Sequence, residues 1–260
     1  MSHGQNADWN PEAYARFRGL RLRPAMDLMA RIGSLPEGEV VDLGCGNGAV
    51  GPALAARFGR PVTGVDSSPA MLQQAGTTGA YQRLETADIS GWAPPQAPAL
   101  IFSNAALHWL GDHEALMPRL ARLLTPGGVL AVQMPRQFGA PSHRFLRDIA
   151  QAMFPDRFDF TGWQAPVAPA TAYWRMLAPL GQVDAWEIDY VQRLEPVENG
   201  HPVRRFTEST AMRPFLDRLL AEEAEAFAAR YEAALASAYP SEPDGSVLFP
   251  FRRLFFVLQV

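Results

Sequence analysis

Apolar positions in this chain recur at two spacings, and the two alternate along its first half. Short β-prone runs at 40–43, 61–66, 99–104 and 128–134 are predicted strands. Between them, apolar residues recur every three or four positions, as on one face of a helix. The stripe Leu116, Leu120, Leu124 is the clearest, with Asp112 placed to cap its start and Pro126-Gly127-Gly128 to stop it. A third short strand is expected just before Thr86. Strands alternating with helices predict an α/β fold with an open, mostly parallel sheet.

The second half continues with predicted helices near 141–154 and 170–180. A long strand follows at 184–194, with Ala185, Trp186, Ile188 and Tyr190 giving it alternating character, and a last one at 253–260. A closing hairpin of these two makes seven strands, the last antiparallel. Residues 195–246, between them, read as a helical insertion. Its clearest helix is expected to start at Arg213-Pro214 and to carry Phe215, Leu219, Phe227, Tyr231 and Leu235 on one face. At the other end, Asn10 and Pro11 are expected to start a helix that Arg23-Pro24 breaks from a second one ending near Ile32. The expectation is one domain over 1–260, with an N-terminal lid over about 1–33 and a substrate cover over about 195–246.

Composition narrows the class. Hydrophobic residues make up 48% of the 260, ample for a core. A net charge of −4 leaves no broad basic footprint, so no nucleic-acid partner is expected. No apolar run approaches the ~18 residues of a membrane helix. The first eight residues lack a basic-then-apolar leader pattern. The single cysteine, Cys45, allows no internal disulfide. A cytoplasmic protein without a membrane partner is expected, with a monomer favoured. All of its Lys+Arg positions are arginine, so any cationic contact to a carboxylate can be a guanidinium fork.

The chemistry concentrates in Val40-Val41-Asp42-Leu43-Gly44-Cys45-Gly46-Asn47-Gly48, followed by a helical pattern at 52–58. A strand, a tight loop and a helix in this order offer backbone N–H groups and Cβ-free positions to a ligand. Gly44, Gly46 and Ala49 satisfy a dinucleotide spacing. Asp42 with Gly44, Gly46 and Gly48 at spacing two fits another ligand better, because a carboxylate there attracts an ammonium group and repels a pyrophosphate. Asp66 ends the second strand, where an acid accepts hydrogen bonds from ribose hydroxyls with either ligand. Asp88-Ile89 and Asn104-Ala105 follow the third and fourth strands.

In order, these landmarks resemble the D-x-G-x-G-x-G signature and later motifs of class I S-adenosylmethionine-dependent methyltransferases. Nearly end to end, the chain is similar to the trans-aconitate 2-methyltransferase family. The carrying stretches include Ala7-Asp8-Trp9-Asn10-Pro11 with Tyr14 and Phe17, Arg23-Pro24-Ala25, and Gly64-Val65-Asp66-Ser67-Ser68-Pro69-Ala70-Met71. Asn104-Ala105-Ala106-Leu107-His108-Trp109, the 126–135 segment and Met212-Arg213-Pro214-Phe215-Leu216 complete them. There are departures. His108 stands where some relatives have glutamine, residues 206–211 lack an expected Trp and Gly, and Arg252 replaces an expected proline.

The resemblance implies a Rossmann-like class I methyltransferase fold and S-adenosyl-L-methionine as cofactor, with no metal. Asp42, Gly44, Cys45, Gly46 and Gly48 would line the methionine end. Asp66 would take the ribose, with Ser67 also in the cofactor site; Met71, Asp88 and Ile89 would border the adenine, and Asn104 and Ala105 would sit near the sulfur. For a small carboxylate substrate, the candidates are Trp9, Tyr14, His108, Trp109, His143 and Arg213, with Arg144 and Arg147 nearby and Arg204, Arg205, Arg252 and Arg253 as further cations. A carboxylate acceptor is already ionised at neutral pH and needs no general base. His108 is a candidate base only for a hydroxyl or amine acceptor. Three readings follow: an O-methyltransferase making the monomethyl ester of trans-aconitate; the same chemistry on another acid or a malonyl thioester; and a NAD-binding oxidoreductase or non-catalytic nucleotide-binding domain.

Overall fold

β1 (Val40–Leu43) is buried at all four positions, and the rest of the sheet is laid down on either side of it. A computed structural model describes residues 18–208 and 210–260. The elements in chain order are α1 (Arg18–Ala30), β1, α2 (Gly51–Phe58), β2 (Val62–Asp66), α3 (Pro69–Gly76), β3 (Arg83–Thr86), β4 (Leu100–Asn104), α4 (His113–Arg122) and β5 (Val129–Pro135). Next come α5 (Pro141–Met153), α6 (Ala170–Leu177), β6 (Gln182–Leu194), α7 (Pro202–Glu208), α8 (Arg213–Leu216), α9 (Ala221–Ala238) and β7 (Val247–Gln259).

The seven strands form one sheet in the order β3-β2-β1-β4-β5-β7-β6. Pairing is parallel from β3 to β5, and β7 runs antiparallel to β5. The expected α/β architecture is present, with β6 and β7 longer than their apolar runs indicate. Pro24 lies inside α1 rather than ending it, which corrects the expected break at Arg23-Pro24. A proline inside a helix loses one backbone hydrogen bond; burial of Ala25, Leu28 and Met29 in the sheet's core offsets that loss.

Internal packing divides the chain into two units. Among the described residues, a sheet unit comprises 22–137, 164–190 and 251–260, and a helical unit comprises 18–21, 138–163 and 191–250. In the sheet unit, Val40, Val62, Leu100, Phe102, Val129, Ala131 and Phe255 meet Leu28, Met29 and Leu54 of α1 and α2. Successive residues of a strand face opposite sides. Accordingly Phe255 stacks on Trp186 with ring centres 5.2 Å apart, while Phe256 stacks on Tyr173 of α6 at 5.4 Å.

In the helical unit, α9 buries Phe227, Tyr231 and Leu235, one turn apart. The Tyr231 hydroxyl donates to the Ser142 carbonyl at 2.7 Å, and the Ser142 N–H donates to the Tyr239 hydroxyl at 3.2 Å. The helix expected to run on from Arg213 is split: α8 ends at Leu216 and α9 begins at Ala221. Leu220 is extended there, and its N–H donates to the Glu223 carboxylate at 2.9 Å, which caps α9. Phe215 still stacks on Phe227 at 5.9 Å, so the apolar face survives the interruption.

Candidate active site

The loop after β1 is tied to the end of β2. The N–H groups of Gly44 and Cys45 donate to the Val65 carbonyl at 2.8 and 3.0 Å. The Asp66 carboxylate accepts from Gly46 N–H at 2.8 Å and from Ser68 N–H at 2.9 Å. Gly44 and Gly46 both have left-handed backbones, with φ of 77° and 54°, which glycine adopts without the Cβ penalty. They differ in surroundings. A Cβ on Gly44 would lie 2.2 Å from the Ala106 Cβ, whereas one on Gly46 would meet nothing within 4 Å. Gly44 therefore serves packing, and Gly46 leaves an open, Cβ-free position beside an acid. Gly48 packs on Ala75 of α3. Cys45 is buried, and burial pushes its thiol pKa up, which makes it inert filler.

Asp42 is 2% exposed and accepts a hydrogen bond from the Tyr81 hydroxyl at 2.7 Å. Burial lifts its pKa to about 7; the Tyr81 bond opposes that rise and the Asp66 charge adds to it. Tyr81 lies in a slot with no side chains on the facing backbone. A Cβ on Gly51 or Gly64 would come within 2.5 and 2.9 Å of its ring. Sequence reasoning missed Tyr81, because no local pattern links it to a residue 39 positions earlier.

The remaining donor-site candidates occupy the same unit. Met71 is half-buried near the start of α3, whose first turn is capped by the Ser68 hydroxyl accepting from Met71 N–H; Ser67 is exposed. The exposed Asp88 folds back on Ser90, accepting from its N–H and hydroxyl at 2.8 Å each, which lowers its pKa. Ile89 lies beside Gly44, its Cδ1 3.5 Å from where a Cβ would be. Asn104 ends β4, and its buried Oδ1 has no hydrogen-bond partner among the described residues. Ala105 is held at φ 54° by its N–H bond to the Gln133 carbonyl, 2.9 Å. A non-glycine residue at positive φ marks stored strain, and such residues cluster at functional sites.

His108 and Trp109 lie on a single 3₁₀ turn, Leu107–Trp109, with ring centres 4.6 Å apart. Burial, then the charge of Arg253, then His113, push the His108 pKa down to about 3, so its imidazole is neutral. Trp109 is 67% exposed. His113, not singled out in the sequence, braces this turn. Its Nε2 bonds the Leu107 carbonyl at 3.0 Å, so Nε2 carries the proton and Nδ1 accepts from the Tyr173 hydroxyl at 2.6 Å.

Two substrate candidates belong to the helical unit. His143 lies on α5 with Nδ1 3.0 Å from the Ser142 hydroxyl; burial and the Arg147 charge lower its pKa to about 4. Arg213 opens α8 and pairs with Asp217 at 3.8 Å. Trp9 and Tyr14 lie outside the described residues. Most of the other candidate arginines face acids: Arg144 pairs with Asp148 at 3.7 Å, Arg204 with Glu232 at 2.6 Å and Arg205 with Glu208 at 2.6 Å. Arg252 grips Asp189 through two 2.8 Å bonds. Arg147 lies 3.7 Å over the Trp163 ring and donates to the Phe138 carbonyl. Arg253 differs in being buried, at 7% exposure. Among the described residues there is no cluster of metal-ligating side chains, and no helix is long and apolar enough to cross a membrane.

Known proteins place this geometry. The model of a methyltransferase domain matches residues 14–182. The fold is similar to the YcgJ protein of Bacillus subtilis, with a TM-score of 0.57, 14% identity and coverage of 91% of this chain and 97% of that one. It is equally similar to a Haemonchus contortus phosphoethanolamine N-methyltransferase 2 solved with S-adenosyl-L-methionine: TM-score 0.57, 17% identity, 98% of this chain and 58% of that one. Fold and glycine loop together define a class I methyltransferase. At full length the chain is 41% identical to a trans-aconitate 2-methyltransferase of Paracidovorax citrulli, covering 96% of this chain and 97% of the relative. It is 43% identical to one of Methylobacterium nodulans, covering 96% and 98%. The chain belongs to the trans-aconitate 2-methyltransferase family, which sets aside the oxidoreductase reading.

S-Adenosylmethionine is the family's methyl donor, and the residues present fit it. Gly46 leaves space where a side chain would intrude. Asp66 has a carboxylate at a strand end, and Asn104 has a buried polar atom without a partner among the described residues.

Proposed function

We propose that this protein methylates one carboxylate of trans-aconitate, giving a monomethyl ester. The observation that carries this reading is the open Gly46, its N–H bonded to Asp66, in a chain about 40% identical throughout to relatives bearing that name. When bound, S-adenosylmethionine would supply a methyl group to the carboxylate oxygen, its sulfur retaining the C–S electron pair as a neutral thioether. Asp42 and the open Gly46, on a loop that Gly44, Cys45 and Gly48 shape by packing, would hold the methionine end of the donor. Asp66 would hold its ribose with Ser67 nearby, Met71, Asp88 and Ile89 would flank its adenine, and Asn104 and Ala105 would line the sulfur. An ionised carboxylate has its lone pair ready, so the protein has no proton to remove. Its task is alignment and exclusion of water. The neutral, buried His108 agrees with that division of labour: it is suited to donate or accept a hydrogen bond and too weak to act as a base at neutral pH. Within the sheet unit, His108 and Trp109 are the proposed acceptor contacts.

A screen of small carboxylic acids and malonyl thioesters with labelled methyl donor tests the acceptor. Methyl ester formation on trans-aconitate, with kcat/KM well above that of the other acids, is the expected result. Preference for a thioester or another acid would replace the proposed acceptor while leaving donor binding intact.

A further inference from the structure

We infer that Gln133 and Arg253, with His108 beside them, form a recess that receives one carboxylate of the acceptor and leaves another free to react. The inference rests on the methyl-transfer reading above. Register is the first argument. Gln133 of β5 pairs with Asn104 of β4 on one side and with Phe255 of β7 on the other, and Arg253 pairs with Pro135. Residues opposite one another, or two apart on a strand, share a face of the sheet. Asn104, Gln133 and Arg253 are therefore on the same face, toward the carboxyl ends of β4 and β5, where open α/β sheets bind ligands. Gln133 and Arg253 are diagonal neighbours, a separation that long side chains bridge.

Polar satisfaction is the second argument. Gln133 is completely buried, yet neither Oε1 nor Nε2 has a hydrogen-bond partner among the described residues. The same is true of the buried Asn104 Oδ1 and His108 Nδ1. Buried polar atoms are nearly always paired, and each exception calls for an explanation. Trp92 Nε1 and Gln192 Oε1 are exceptions elsewhere, but those of Asn104, Gln133 and His108 lie at the adjoining ends of β4 and β5 and on the turn that follows β4, as expected of groups whose partner is a ligand. Gln133 is also the one polar residue among the six buried positions 129–134 of β5, a mark visible in the sequence once the strand is known.

Charge gives the ligand's class. Arg253 is buried and close enough to His108 to depress its basicity. A guanidinium, an amide N–H and a neutral imidazole N–H are all donors, since the amide can turn and the imidazole can shift its tautomer. A planar carboxylate accepts from all three, and the fork of an arginine suits its two oxygens. An acceptor with two or more carboxylates would thus be fixed by one end, which explains why only another is methylated.

Calorimetric titration of trans-aconitate into the full chain saturated with S-adenosylhomocysteine tests this without turnover. Gln133→Met and Arg253→Gln should each weaken acceptor binding at least ~10-fold, the scale of a lost charge-assisted bond, with affinity for S-adenosylhomocysteine unchanged. Gln133→Met should melt at or above the wild-type temperature, because it removes an unpartnered buried amide; it keeps the test decisive should Arg253→Gln fold poorly. Wild-type acceptor affinity in Gln133→Met overturns the recess, as does loss of acceptor binding in Arg213→Ala alone. If wild type binds another polycarboxylate instead of trans-aconitate, and Gln133→Met loses it, the recess stands and the named acceptor falls. Absence of binding by every carboxylate tried overturns the recess as well.

Discussion

The hydroxyl of Tyr81 donates a 2.7 Å hydrogen bond to the carboxylate of Asp42, which is buried beneath the glycine loop. This bond favours the ionised form and so opposes the rise that burial imposes, leaving the acid with a pKa of about 7. Folding raises the pKa of Asp42, so between about pH 4 and 7 the folded state holds more protons than the unfolded one. Its contribution to stability therefore falls as pH rises through that window. Asp42→Asn should remove this fall, and melting temperatures of mutant and wild type should diverge progressively between about pH 4 and 7 in the mutant's favour, then run parallel above that range. Tyr81→Phe should raise the Asp42 pKa further and shift the pH dependence of donor affinity upward, which calorimetry across pH would detect. A donor affinity independent of pH in wild type would remove Asp42 from donor binding.

The glycines of the loop should separate by phenotype. Gly44→Ala drives a methyl group into Ala106 and should destabilise the fold by several kcal/mol, by overpacking and left-handed strain together. Gly46→Ala meets open space, so only the strain of ~1–2 kcal/mol applies. The protein should fold and yet bind donor at least ~10-fold more weakly, because the new Cβ occupies ligand space. Circular dichroism and donor titration on the two mutants check this; normal donor affinity in Gly46→Ala would place the ligand elsewhere.

Asp66 has two duties that a single mutant loses together. Its carboxylate orders the loop through Gly46 and Ser68, and it is proposed to hold the ribose. Asp66→Ala should weaken donor binding by ~1.5–3 kcal/mol for each charged hydrogen bond lost and should lower the melting temperature of the free protein too. A lower melting temperature with unchanged donor affinity would leave Asp66 a purely structural role.

With a pKa near 3, His108 stays neutral across the working range. The kcat profile should show no inflection from this residue between pH 6 and 9. His108→Gln, which keeps an N–H donor, should retain most of the turnover on a carboxylate. A drop of ~10²-fold or more, the usual weight of a general base, would point to a hydroxyl or amine acceptor.

What the sequence determined on its own is what neighbouring residues encode. Helical and strand periods, the cap at Asp112 and the spacing of Asp42, Gly44, Gly46 and Gly48 are all set within a few positions. They suffice for the α/β class, the family and the tight glycine turn after β1. The same local rule read Pro24 as a break and ran one helix on from Arg213. Burial of Leu28 and Met29 overrode the first, and capping by Glu223 interrupted the second. The tertiary structure alone decided which distant side chains meet. Tyr81 reaches Asp42 because Gly48, Gly51 and Gly64 leave a slot for its ring. Gln133 and Arg253 share a face because β7 pairs antiparallel with β5 in one particular register. Register is a property of pairs of strands, and a slip of one residue would turn either side chain to the opposite face.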